Sequence, residues 1–519
     1  MEISYLKAKY PRLWLLFSKL IPLFSLFFLI LTLSTEILAF FYPSSWAFFV
    51  FSGILVIFFI WWLIRGFEYL MFLLLGLFKF KNYQRLNLDN IFYWKPSTKF
   101  DKLIYDDFKK TDIDVNKIYH YVIIPTFQDP LEMIVDTIES IKNTKFDNKK
   151  IFISLAGEYS DRENFEKIKT EIKKRYANTF WFLNFTLHKL KEWELAWKWS
   201  NVTYSAKTTY PELLKITSEE NIIVSVLDSE SVLDEKYFSI LNLEYALTKP
   251  NMRDKTIYQP MLFLFNRFFQ APYFSKIIAL SVAFYILWAS IKWIWTRAQA
   301  VQAQSLKSLL ETNFYSVETI TEDGHQYYRT YCTFDWEFQV RPFYAYVLLE
   351  PVIWQTFFET VKLQYNQIKR WAHWCLDLPY IVLCFFEKYK KLPKLRTLYE
   401  IFWLTEASVL WSSLQFIMFF WSIWLYLSWN WFYQLFWIFN ALALLILVIL
   451  LSISLYFLPW NQLSSWKRFY EGIKYVLFSF TFMWPLLLVL NWLPALHAQL
   501  MILFWKPLWK FNVTKKYRD

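Results

Sequence analysis

Three short polar strings carry residue types that could act together. Asp228-Ser229-Glu230 sets two carboxylates two positions apart. Carboxylate oxygens suit a hard divalent ion such as magnesium or manganese. Thr321-Glu322-Asp323 offers a second acidic pair. A carboxylate held in a crevice beside a cation can take the proton of an attacking hydroxyl. We assign that task to Asp323, with Glu322 positioning it. The third string is Gln367-Ile368-Lys369-Arg370-Trp371. Offsets of three and four put Gln367, Arg370 and Trp371 on one face of a helix. Arginine can grip phosphate oxygens bidentately, glutamine can bond hydroxyls, and an indole gives a flat apolar surface for a sugar ring. Each string also has an ordinary explanation: a solvated turn, a helix start with first-turn acids, and a surface helix with one packing Trp.

The elements that must position these strings can be read from the pattern between about residues 82 and 400. A β-rich run at 120–125 precedes a helical stretch at 131–141. A second strand at 150–155 precedes a charged helical run at 162–175. Further strands fall at 180–187 and 221–227. Strand and helix in alternation imply βαβ units and a mostly parallel sheet. Ligands of such sheets bind beyond the carboxyl ends of the strands. Thr126 and Asp129 follow the first strand, Glu158 the second and Asp228 the fourth, so these groups converge on one crevice.

The rest of the chain is far more apolar. Of 519 residues, 56% are hydrophobic and 23% aromatic, which is too much for an ordinary soluble protein. Runs at 20–41 and 46–64 are each long enough to cross a bilayer. Lys7, Lys9, Arg12 and Lys19 precede the first and Arg65 closes the second, while the linker between them is uncharged. By the positive-inside rule the N-terminus and the polar segment are cytosolic. The stretch 263–295 is broken by Arg267, Pro272, Lys276 and Lys292 and reads as amphipathic helices in the membrane interface. Spans resume at 409–428, 435–458 and 475–491, with a short crossing or re-entrant hairpin after Pro494 and a basic cytosolic tail. The organisation is therefore a membrane region at 1–81, a cytosolic domain at 82–400 and a second membrane region at 401–519, with three or four spans. Cys332, Cys375 and Cys384 include no CxxC pair, so neither a disulfide framework nor a cysteine zinc site is expected, and reduced thiols fit best. The net charge of +12 accompanies no nucleic-acid motif and is read as membrane topology and contact with anionic lipid.

Taken in order, Asp228-x-Glu230, Thr321-Glu322-Asp323 and Gln367-x-x-Arg370-Trp371 resemble the signature of family 2 glycosyltransferases, in the cellulose-synthase-like membrane branch. The resemblance covers roughly residues 118–395. It implies an α/β GT-A catalytic fold inserted between transmembrane helices, a UDP-sugar donor, a magnesium or manganese ion, and inverting transfer that extends a β-linked glycan at the cytoplasmic membrane. It assigns Asp228 to nucleotide and metal, Glu230 to metal, Asp323 to the base, and Gln367, Arg370 and Trp371 to the acceptor. Thr126, Asp129, Glu158 and Lys198 fall to the nucleotide-sugar side. The second metal acid is usually Asp where this chain has Glu230. Competing readings are single-sugar transfer to a lipid carrier or glycolipid, and a non-enzymatic scaffold or channel with a degenerate transferase domain.

The loop Lys191–Asn201 resembles a family loop that carries glycine where this chain has Trp193, Trp197 and Trp199. Trp336 and Trp374 also stand where glycine is natural. The chain has 6 Gly and 29 Trp. Together they come close to the roughly 36 glycines that average usage would give a chain of this length. Some bacteria read UGA as glycine, and we expect these five positions to be glycine in the cell, whereas Trp371 is a true tryptophan.

Overall fold

The computed structural model describes residues 1–504 apart from 43, 94, 95, 97, 192, 193, 196, 197, 293–296, 428–431, 461 and 462. Among the described residues the polar segment is built on one eight-stranded sheet of order β3-β2-β1-β4-β7-β6-β8-β5. The strands are β1 (Tyr119–Thr126), β2 (Ile151–Glu158), β3 (Phe182–His188), β4 (Ile222–Val226), β5 (Val232–Leu233), β6 (Thr256–Phe263), β7 (Gln302–Ser305) and β8 (Gln339–Leu348). β3, β2, β1 and β4 run parallel, as their alternation with helices predicts. β7 joins β4 antiparallel, β6 pairs antiparallel with β7 and parallel with β8, and β5 closes the edge antiparallel. The sheet is thus more mixed than the pattern implies, and β5 to β8 were not anticipated.

β1 is buried along Val122, Ile123 and Ile124, and β2 along its whole length, which suits central strands covered on both faces. The helix Leu131–Lys142 buries Met133, Ile134, Thr137, Ile138 and Ile141, a stripe of helical period, against one face of the sheet. The helix Arg162–Tyr176 follows β2 and packs close to it. A Cβ at Gly157 would lie 2.4 Å from the Phe165 ring, so that contact requires glycine. The helix Lys198–Leu213 covers the opposite face, with Trp199, Val202 and Ala206 in a core that also takes Leu306, Leu309 and Tyr315.

Among the described residues, three helices are long and apolar enough to cross a membrane: Pro11–Phe41, Trp46–Arg85 and Tyr273–Ile291. The first two contain the runs read as spans. The third occupies the stretch read as amphipathic interfacial helices. It is one continuous helix, 78% buried within the protein over its apolar window. Its face carries Ile277, Leu280, Ala283, Phe284 and Leu287 into the main core, so packing rather than a polar stripe accounts for its composition. Towards the C-terminus come helices Lys394–Leu427, Phe432–Phe457, Ser465–Leu487 and Leu493–Leu503, with a π-helical turn at Leu488–Trp492. The turn at 429–431 and the basic tail after Phe504 lie outside the described residues.

The cysteine reading is corrected in one respect. Cys332 and Cys384 are joined in a disulfide, and Cys375 is free and buried. Fifty-two residues separate the pair. The parallel packing of helices Glu322–Thr333 and Asp377–Glu387, with His325 against Asp377 at one end, brings the two sulfurs together at the other, which no spacing rule detects.

Candidate active site

The carboxyl ends of β1, β2 and β4 lie side by side. Thr126 pairs in register with Gly157, and Ile123 with Val226. The ladder continues one residue past β4 through Leu227 N–H to the Ile123 carbonyl, 3.0 Å. Asp228 therefore emerges at the rim of the sheet beside Thr126 and Glu158. The loop after β1 turns at Gln128, φ +56°, where Asp129 accepts from the Phe127 N–H at 3.1 Å and Asp161 from the Gln128 N–H at 2.7 Å. Glu158 is buried and accepts from Ser160. The Thr126 hydroxyl is buried with no protein partner at the same rim.

Lys198 begins the helix that follows the Lys191–Trp197 loop. Its ammonium donates to Asp228 Oδ1 at 2.6 Å and to the Ala300 carbonyl at 3.4 Å. Burial pushes this ammonium down, but Asp228, Glu322 and Asp323 outweigh burial and hold it above the ordinary lysine value. The loop before it is fastened through His188, which meets Glu194 at 3.1 Å and Asn201 at 3.1 Å.

Thr321, Glu322 and Asp323 open the helix Glu322–Thr333. The helix start and the functional reading thus coincide. Thr321 stands at the N-cap position without a side-chain cap bond. Glu322 is buried, and Asp323 is partly buried. Burial raises the Asp323 carboxyl above the usual range, against the pull of Lys198, the Gly324 N–H and Arg370, with Asp228 adding to the rise. A carboxyl lifted in this way is better suited to accept a proton near neutrality than an exposed one.

Gln367, Arg370 and Trp371 end the helix Phe357–Trp371, as their spacing predicts. Burial lowers the Arg370 guanidinium, opposed in turn by Glu322, Asp323, Asp228 and Glu230. Its charge is therefore felt by both acidic pairs at once. Gln367 accepts from Gln364 at 2.9 Å within the helix. Trp371 packs with Phe274, Ile278, Ile368 and Leu490, so its ring is seated between the Phe357–Trp371 helix and the apolar helices. The structure thus unites Lys198, Asp228, Glu230, Glu322, Asp323 and Arg370 electrostatically, while Trp371 serves an apolar seam.

Two other residues near the site were missed in the sequence. His325, one turn into the Glu322 helix, meets Asp377 at 2.7 Å, and both are buried. Gln302 opens β7 opposite Val226 and is fully buried with both amide atoms unpartnered in the protein. A histidine two residues after an acidic pair was the available hint for His325. Nothing local marks Gln302.

Asp228 and Glu230 supply oxygens of the right hardness for a divalent ion, and among the described residues no group of three His, Cys, Asp or Glu side chains is assembled to hold one. The pair fits a magnesium or manganese whose remaining positions are taken by phosphate and water.

The tryptophan positions behave unevenly. Trp336 has φ +78°, after Asp335 at +49°. Trp199 is fully buried against Tyr315, ring centroids 4.3 Å apart, and its indole N–H has no partner. The Trp374 indole N–H is likewise buried and unpartnered. Trp193 and Trp197 lie outside the described residues.

No family model matches the chain, and no curated protein matches it. Among solved structures, the chain is similar to a mannosyltransferase, PcManGT from Pyrobaculum calidifontis, in complex with GDP-Man and Mn2+: 11% identity over 85% of this chain and 98% of that one, TM-score 0.41. It is also similar to S. aureus TarS, at 12% identity over 51% of this chain and 43% of that one, TM-score 0.28. The TarS 1–349 fragment in complex with UDP-GlcNAc gives 12% identity over 52% of this chain and 73% of that one, TM-score 0.29. Likenesses this loose carry no functional argument.

Proposed function

We propose that this chain is a membrane-integrated, inverting glycosyltransferase that uses a UDP-sugar to extend a β-linked glycan from the cytosolic face of the membrane. One observation carries the reading. Lys198, Asp228, Glu230, Asp323 and Arg370 come from separate stretches of chain, and their charges act on one another at the carboxyl rim of an α/β sheet. The order of motifs along the chain adds the family resemblance.

The chemistry follows from the groups present. The acceptor hydroxyl gives its proton to the Asp323 carboxylate as its oxygen bonds to the anomeric carbon. The bond from that carbon to the diphosphate breaks, and UDP departs with the electron pair. Lys198, beside Asp228, would offset the departing diphosphate, with Arg370 kept on the acceptor side of the same charge cluster. A divalent ion, held by Asp228 and Glu230, would add charge compensation on the diphosphate. Thr126, Asp129 and Glu158 line the rim where the nucleoside would lie. The family resemblance assigns Gln367 and Trp371 to the acceptor side.

The test is a panel of UDP-sugars offered to the purified protein in lipid, with released UDP and product length both measured. We expect UDP release with one sugar and a polymeric product. Addition of a single sugar to a lipid would replace polymerisation with the glycolipid reading. No UDP release with any donor would leave the scaffold reading.

A further inference from the structure

We infer that His325 and Asp377 form a positioning dyad that holds the catalytic carboxylate of Asp323 in register with the Arg370 side of the site. The inference rests on the transferase reading above.

Asp323 sits in the first turn of the helix Glu322–Thr333, and His325 is the next side chain but one. The His325 N–H closes that turn on the Thr321 carbonyl at 2.9 Å. Its ring is almost fully buried, bonds Asp377 Oδ1 through Nδ1 at 2.7 Å, and meets Tyr380 edge-on with centroids 4.4 Å apart. Asp377 opens the helix Asp377–Glu387, which follows Trp371 after a single 3-10 stretch, Ala372–Leu376. The bond thus ties the turn bearing Asp323 to the chain just beyond Arg370.

The far half of the same helix is fastened separately. Cys332 is bonded to Cys384, the Cys332 carbonyl accepts from Lys388, and Arg329 donates to the Phe314 and Thr312 carbonyls at 2.7 and 2.9 Å. Loss of the dyad therefore frees the first turn while the helix stays docked. Burying a polar imidazole and its carboxyl partner where apolar side chains would pack is costly, and the 2.7 Å bond between them offsets that cost only in one geometry. A displacement of about 1 Å in a catalytic group is enough to cost roughly a hundredfold in rate.

The test compares His325→Leu with His325→Asn, whose amide nitrogen can take the place of Nδ1. Both are measured for kcat with the preferred UDP-sugar and for binding of UDP. We expect His325→Leu to lose roughly tenfold to a hundredfold in kcat, UDP affinity to stay within twofold, and His325→Asn to recover most of the rate. Asp377→Leu should reproduce the loss. Wild-type kcat in His325→Leu would overturn the proposal. So would parallel loss of kcat and UDP binding, which would mark a purely structural role, or an Asn variant as slow as the Leu variant. Absence of transfer by the wild-type protein would instead remove the transferase reading on which the dyad depends.

Discussion

At the end of the Glu322 helix, Trp336 offers a sharp test of the glycine expectation. The helix closes through the Trp336 N–H to the Tyr331 carbonyl at 3.1 Å, a bond that forms only when the chain has passed through the left-handed region. Trp336 itself has φ +78°. A residue with a Cβ pays about 1–2 kcal/mol there, and glycine pays almost nothing. Glycine gives back roughly 0.4–1 kcal/mol through its looser unfolded chain. The Trp336 side chain is 43% exposed, so little packing is lost on removing it. The net expectation for Trp336→Gly is a gain of about 1 kcal/mol, or roughly 2–4 °C in midpoint for a domain of this order of size. Trp336→Ala keeps the Cβ and should show no gain. The assay is thermal unfolding in detergent at one scan rate, because membrane proteins often unfold irreversibly. A midpoint that falls in Trp336→Gly, or rises equally in Trp336→Ala, would refute the backbone argument. The same reasoning reaches the gene. We expect UGA at 193, 197, 199, 336 and 374 and UGG at 371. Mass spectrometry of peptides from the native host should find glycine at the five. UGG at those codons ends the idea.

Four further outcomes follow from the charges. Asp323→Asn should lower kcat by roughly a hundredfold to ten-thousandfold, the range of a lost general base, while UDP binding persists; wild-type turnover in that variant would refute the assignment. With Asp323 as the proposed base, its raised carboxyl should make kcat/KM fall on acidification with a midpoint above the ordinary aspartate range, because the base must be deprotonated. The stability effect has the opposite sense. The folded state binds the proton more tightly, so stability is lost as pH rises from the ordinary carboxylate range through the raised value, and Asp323→Asn should melt higher than wild type above that window but not below it. Lys198→Ala breaks the 2.6 Å contact with Asp228 and removes the cation proposed to face the diphosphate. It should weaken UDP binding by roughly tenfold to a hundredfold, the value of a charged hydrogen bond, and unchanged affinity in a titration would remove Lys198 from the donor site.

Much of the parallel half of the fold was legible because its evidence is local. The Val122-Ile123-Ile124 run, the helical stripe of Met133, Ile134, Ile138 and Ile141, and the apolar runs at 20–41 and 46–64 each report their own structure through periodicity and length. Thr321 to Asp323 at a helix start and Gln367 to Trp371 on one helix were legible for the same reason. β6 and β8 were not, because they pair with each other across the intervening chain from Phe263 to Gln339, and pairing partners leave no trace in a single run of residues.

What the chain by itself determined is the set of chemical groups and the elements that carry them: carboxylates at strand ends, an acidic helix start, an Arg-Trp helix end, and apolar helices on either side. The tertiary structure alone decided which of these groups share one electric field. Lys198 reaches Asp228 because the helix it begins packs across β1, β2 and β3 with its first residue at the end of β4. Arg370 senses Asp228 and Glu230 across more than a hundred residues of chain. His325 finds Asp377, and Cys332 finds Cys384, because two helices pack side by side. Charge interaction and side-chain pairing depend on distance in space, and distance in space is set by the order of strands in the sheet and the docking of helices upon it.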